Sequence, residues 1–286
     1  MILVTGSTGT IGRSLVPTLL DHGAAVRLLV RDADKARAVF GDRAELVVGD
    51  LHDAPAVTAA VDGVESVFLN SSSLSGFVDL QRTVIDAAAA GGVGNLVRLS
   101  VAGAAPDSAP SYGRGHFALD EHLKASALSW TILQPNGFMQ NLLSNAETIK
   151  AGAIYASAGD GAVAMIDARD IADVAAAVLV GENHAGEVLV LTGGAAVTYT
   201  DIAAALTAEL GHDVRYVDVP PEVTRGNLLG FGLPAEQVDD IVALFAIFRA
   251  GYASTVTSVV RDVLGREPRT LATFLRDHRS ALTAPA

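Results

Sequence analysis

Three glycines stand at positions 6, 9 and 12, directly after the apolar run Ile2-Leu3-Val4. A strand turning into a helix there aims free backbone N–H groups at one point, at the positive end of the helix dipole, which suits a pyrophosphate. Gly6 permits a turn that a Cβ would strain, Gly9 lets phosphate approach the backbone, and Gly12 lets the helix pack on the strand. Thr8, Thr10 and Ile11 complete the expected cradle. The spacing is GxxGxxG and not the commoner GxGxxG. Its place before an amphipathic helical pattern (Ile11, Leu15, Val16, Leu19, Leu20) gives it weight.

Arg31 follows 25 positions after Gly6, with Lys35 one helical turn beyond it. An NAD-type site places an acid at this corner for the adenosine ribose. Two cations there suit the 2′-phosphate of NADP instead, which a guanidinium can grip bidentately. Asp32 lies between them, so NAD stays open. The plainer alternative is a surface arginine paired with Asp32 or Asp34. Asp50 and Leu51 follow the third apolar run, where they are expected at the adenine amino group and ring face. Asn70, Ser71, Ser72 and Ser73 end the fourth run and are expected to line ribose and nicotinamide, or to form a polar turn without a ligand.

These residues need a frame that brings strand ends together. Strands at 2–4, 25–30, 45–48, 66–69, 96–100 and 131–133 alternate with helical patterns at 33–39, 54–61, 77–90 and about 113–127. This βαβ cadence predicts an α/β, Rossmann-type, doubly wound parallel sheet that binds ligands beyond the carboxyl ends of its strands. Residues 1–150 are expected to form the dinucleotide-binding domain, with the sheet completed by about 164–192. Residues 193–286 read as a smaller, mainly helical substrate lid without a large core of its own. Phe138 and, in the lid, Phe231, Leu244, Phe245, Phe248 and Tyr252 are candidates to line an apolar pocket, although aromatics at helical spacing are more often plain core.

The composition narrows the function classes. With no cysteine among 286 residues, disulfides and thiolate chemistry are excluded. A net charge of −12 argues against nucleic acid or an anionic membrane as a standing partner. The seven histidines show no HExxH or paired ligand spacing, so no metal is expected. No apolar run approaches the roughly 18 residues of a membrane span, and no leader pattern is visible at Met1. The expectation is a cytoplasmic monomer or homodimer acting on a small apolar or aromatic substrate.

The phrases VTGSTGTIG, LLVRD, VVGDLHD, SALSWTILQPNGFMQN and MIDARDIADVAAAVL, with the tail VLGREPRTLATFLRDH, resemble the NmrA-like, atypical branch of the short-chain dehydrogenase/reductases. The similarity is greatest to its bacterial NAD(P)H:quinone reductases and runs from Met1 to about Asp277. It implies NADP held by the glycine loop and Arg31, with the backbone at Pro135 against the nicotinamide carboxamide. The wider superfamily works with a serine, a tyrosine and a lysine four residues after the tyrosine. The resemblance places Ser100 and Tyr112 in the first two roles, but His116 stands where the lysine would be. Relatives commonly carry lysine or histidine there, with an acid four residues on, which Asp120 matches. An i,i+4 His116–Asp120 pair shares a helix face and would orient the imidazole. Pro110, Gly113 and Gly115 surround Tyr112 and point to a loop ahead of the helix.

Hydride delivery to a plain ketone creates an alkoxide that needs a strong acid or oxyanion site. Delivery to a quinone or conjugated ketone leaves a phenolate-like oxygen whose conjugate acid has a pKa of about 10. A site lacking the lysine therefore fits an NADPH-dependent reductase of quinones or conjugated or aromatic ketones, a class that includes natural-product intermediates. The alternative is a non-catalytic NADP(H) redox sensor, which the missing lysine favours.

Overall fold

The computed structural model describes residues 1–72, 76–181 and 183–283, so Ser73 lies outside the described residues. Strands β1 (Ile2–Val4), β2 (Val26–Val30), β3 (Glu45–Val48), β4 (Ser66–Leu69), β5 (Asn95–Leu99) and β6 (Ser129–Pro135) come first. Helices α1 (Gly12–Asp21), α2 (Ala33–Phe40), α3 (Ala54–Val61), α4 (Phe77–Ala90) and α5 (Ser111–Lys124) alternate with them. A 3₁₀ segment (Met139–Asn145), α6 (Ala146–Lys150), β7 (Ala153–Ala156), α7 (Ala168–Val180) and β8 (Glu187–Leu191) follow. The chain then forms α8 (Tyr199–Leu210), β9 (Arg215–Asp218), α9 (Pro221–Gly230), α10 (Ala235–Arg249), α11 (Val259–Leu264), α12 (Leu271–Asp277) and α13 (Arg279–Leu282).

The chain divides into two compact units. The first comprises Met1–Ser108, Tyr112–Pro135 and Ala168–Val190. Its sheet has the order β3-β2-β1-β4-β5-β6-β8, and every pair from β3 to β6 is parallel. This is the expected doubly wound α/β fold. Its strands are near-continuous apolar runs because helices cover both faces. Leu3, Val67 and Leu96 pack with Val57, Val84 and Leu119 of α3, α4 and α5 in one core. Strand order reverses between β1 and β4, so the carboxyl ends of those two strands flank the crevice where such sheets take ligands.

The second unit comprises Ala109–Ser111, Asn136–Asp167 and Leu191–Ala286. Two expectations are corrected here. The first unit's long opening run of sheet and helices stops at Pro135 and not near 150, because β6 ends there and Met139, Leu142 and Ile149 join the other core. The helical region also does not lack a large core, for it shares one with the stretch Asn136–Asp167. Ile154, Met165, Ile202, Leu206, Phe248 and Phe274 are all buried in it. The parallel pair β7–β9, with Ile154 opposite Tyr216, was not anticipated at β7. Thr198 starts α8 with a capping box, its hydroxyl accepting from the Asp201 N–H while the Asp201 carboxylate accepts from the Thr198 N–H.

Candidate active site

The turn between β1 and α1 is built by side chains as well as glycines. The buried Thr5 hydroxyl donates to the Asn70 carbonyl at 2.8 Å and accepts from the Asn70 N–H at 2.9 Å. That reciprocal clamp ties the ends of β1 and β4 together at the reversal point. Gly6 has φ +63°, and a Cβ there would stand 2.8 Å from the Asn70 carbonyl oxygen. A Cβ on Gly12 would stand 2.4 Å from the Ser7 carbonyl oxygen, so Gly12 packs on the loop itself and not on the strand. Among the described residues, nothing in the chain accepts from the amides of Thr10, Ile11 and Gly12. The Ser7 hydroxyl is buried in the same loop without a partner. Unmet donors at a helix N-terminus, beside glycines with no room for side chains, fit a dinucleotide pyrophosphate. Arg13, which sequence reasoning passed over, donates from Nε to the Thr8 carbonyl at 2.9 Å and adds a cation to this loop. Its place directly after the third glycine was the available signal.

The corner after β2 separates Arg31 from Asp32. Asp32 caps α2, its carboxylate accepting from the Lys35 N–H at 2.9 Å. Arg31 is 84% exposed, and its Nε lies 3.8 Å from Asp50 Oδ2. The register that sets Val30 opposite Val48 brings Arg31 beside Asp50. The arginine therefore pairs loosely with Asp50 and not with Asp32 or Asp34; Asp34 meets Arg37. Lys35 is exposed on the next turn, and Leu51 packs partly buried against the core. The Ser71 hydroxyl accepts from Gln81 Nε2 at 2.8 Å and donates to the Ser72 carbonyl. Pro135 is buried, and its carbonyl accepts from the Ala102 N–H at 3.0 Å.

Ser100 and His116 meet in a buried polar cluster centred on Arg98, a residue that sequence reasoning missed. Arg98 lies in β5 and is 0% exposed. Its Nε donates to Gln81 Oε1 at 2.9 Å, its Nη1 to Asp120 Oδ1, and its Nη2 to His116 Nδ1 at 2.9 Å. The other Asp120 oxygen accepts from the Ser100 hydroxyl at 2.7 Å and from Gln134 Nε2 at 3.2 Å. The expected His116–Asp120 pair is therefore replaced. Arg98 takes the carboxylate and the imidazole on separate nitrogens, because a guanidinium offers several donors in a fixed fork. Burial first and the Arg98 charge second push the imidazole down to about 3. Burial lowers Arg98 itself to about 10, against the opposing pull of Asp120. At neutral pH the cluster is thus an arginine–aspartate ion pair beside a neutral histidine. Ser100 is 1% exposed, with its one proton committed to Asp120. Tyr112 lies half-buried in the first turn of α5, which starts at Ser111, so it is helical and not on a preceding loop.

The aromatic candidates of the second unit do not form one lining. Phe248 is 5% exposed within that unit's core and stands edge-on to Phe245 at 6.0 Å. Leu244 and Phe245 pack half-buried against the same core. Phe231 and Tyr252 are 81% and 82% exposed. Phe138 precedes the 3₁₀ segment and bridges to Ile166. Among the described residues no cluster of histidine and acidic side chains could hold a metal, and no helix is long and apolar enough to cross a membrane.

Comparisons with known proteins cover nearly the whole chain. An NAD(P)H azoreductase of Xenophilus azovorans is 37% identical over 285 residues, spanning 99% of this chain and 100% of that protein. A (4-alkanoyl-5-oxo-2,5-dihydrofuran-3-yl)methyl phosphate reductase of Streptomyces griseus is 34% identical over 283 residues, spanning 98% and 99%. The crystal structure of an NADPH-dependent quinone oxidoreductase from Escherichia coli, complexed with NADPH, superposes with a TM-score of 0.89 at 29% identity. It matches 97% of this chain and 99% of that one. Residues 1–275 match the NmrA-like family, and the chain belongs to it.

Proposed function

We propose that this chain, an NAD(P)H-dependent oxidoreductase, uses NADPH to reduce a quinone or a related conjugated, electron-poor acceptor. NADPH, when bound, supplies the hydride. The amides of Thr10, Ile11 and Gly12 would hold its pyrophosphate, with Arg13 beside them. Arg31 and Lys35 would hold the 2′-phosphate. One oxygen of Asp32 is engaged as the cap of α2.

The observation that carries the choice of acceptor is the commitment of the Ser100 proton to Asp120 inside a buried ion pair. A serine so engaged is no oxyanion donor, and a neutral His116 is a hydrogen-bond donor but no acid. Tyr112 is left to deliver the proton. Such a site suits an acceptor whose reduced form carries a stabilised anion. The names of the relatives fit that chemistry, since an azo bond, a quinone and an acyl-dihydrofuranone are all conjugated acceptors. The same commitment of Ser100 also favours a second reading, an NADP(H) sensor without turnover.

Loss of nicotinamide absorbance on mixing with NADPH separates the two. A benzoquinone or an azo dye should be reduced, and a simple alkyl ketone should not. Tyr112→Phe should lower turnover by about tenfold to a hundredfold. No turnover with any conjugated acceptor would leave the sensor reading, and unchanged turnover in the variant would remove Tyr112 as the proton donor.

A further inference from the structure

We infer that Arg98 and Gln81 are positioning residues that fix the ring proton of His116 on Nε2 and orient the Ser71 hydroxyl at the end of β4. A guanidinium carries only donors, so the 2.9 Å contact between Arg98 Nη2 and His116 Nδ1 runs one way. Nδ1 accepts, and the single proton of the neutral ring must sit on Nε2. Arg98 Nη1 also reaches the His116 carbonyl at 3.4 Å, so side chain and helix turn are held together. Phe77 stands against the imidazole with ring centroids 5.0 Å apart and planes tilted by 45°. Asp120 takes the remaining charge and keeps the guanidinium in register.

The polarity continues along the other arm. Arg98 Nε donates to Gln81 Oε1, which decides which end of that amide faces the arginine. Gln81 Nε2 is therefore the atom turned to Ser71, and it donates to the hydroxyl at 2.8 Å. Ser71 must then direct its own proton elsewhere, and it points to the Ser72 carbonyl. One buried arginine thus sets the direction of the hydrogen bonds that run from His116 through Gln81 to Ser71. The importance of this for turnover rests on the reading of the preceding subsection, but the proton placement does not.

Nitrogen-15 NMR of the histidine rings in the whole protein tests the placement, with the His116 signal identified by its loss in His116→Gln. The expected signature at neutral pH is a bare Nδ1 and a protonated Nε2. A protonated Nδ1, or an imidazolium, would overturn the inference. Arg98→Lys keeps a cation against Asp120 but loses the fork, so it should give mixed tautomers and lower kcat by about tenfold to a hundredfold. An unaltered tautomer in that variant would also overturn it. Gln81→Glu keeps the acceptor for Arg98 and loses the donor to Ser71. It should preserve the His116 signature while kcat/KM falls several-fold, and an unchanged kcat/KM would remove the Ser71 arm. If wild type reduces no acceptor, the NMR signature still decides the proton placement, and the failure belongs to the proposed reaction.

Discussion

Gly6 and His116 are single positions whose chemistry has measurable consequences. Gly6→Ala puts a Cβ at φ +63°, a conformation that costs about 1–2 kcal/mol for an L-residue, and drives it against the Asn70 carbonyl. The variant should melt several degrees lower and lose at least about tenfold in NADPH affinity, checked by thermal unfolding and titration. His116 makes stability depend on acid. Its ordinary value is 6.5 and its folded value about 3, so between them the unfolded chain binds a proton that the folded chain refuses. Stability should fall as pH drops through that window, by up to about 1.4 kcal/mol per unit from this group. His116→Asn, which keeps an acceptor for Arg98 without titrating, should flatten the slope in denaturant unfolding; an unchanged slope would contradict the assignment. Ser100, His116 and Asp120 were singled out by the family resemblance, and the structure joins their side chains through Arg98 and the Ser100 hydroxyl. Arg98 carried a signal that went unused. A charged residue inside the apolar run Leu96-Val97-Arg98-Leu99 of a parallel strand is covered on both faces and needs buried partners.

At the scale of elements, the link between β5 and α5 is a buried ion pair, and such pairs resist the loss of one partner more than the loss of both. Arg98→Met should cost about 3–5 kcal/mol by stranding the Asp120 carboxylate, while Arg98→Met with Asp120→Leu should recover much of that. Chemical unfolding of both variants measures the difference. A double variant as unstable as the single one would show that packing and not charge dominates there. The early strands and helices were legible because their periodicities are clean and their boundaries are marked by caps such as Asp32 and Asp53. The start of α5 was misjudged because Gly113 and Gly115 read as helix breakers. In the structure their bare Cα atoms admit Ser108 and Phe77, whose atoms would lie within 2.7 Å and 2.6 Å of an added Cβ. Close packing explains those glycines better than flexibility does.

Across the whole molecule, the sheet unit was legible from its βαβ rhythm and the second unit only in part. Its helices were visible in the sequence, but its core was not. That core draws on Ile149, Ile154 and Met165 from one stretch and on Ile202, Leu206 and Phe274 from another, so neither stretch alone displays it. The NmrA-like match spans both the glycine turn and the cationic corner, and the proposed reductase reading depends on both. Calorimetric titration of the intact protein with NADPH and with NADH tests that dependence most directly. The prediction is saturable uptake of NADPH, with NADH weaker by about tenfold or more because it has no phosphate for Arg31 and Lys35 to hold. Absence of heat from either nucleotide would contradict the account, and equal affinity for the two would remove the role given to Arg31.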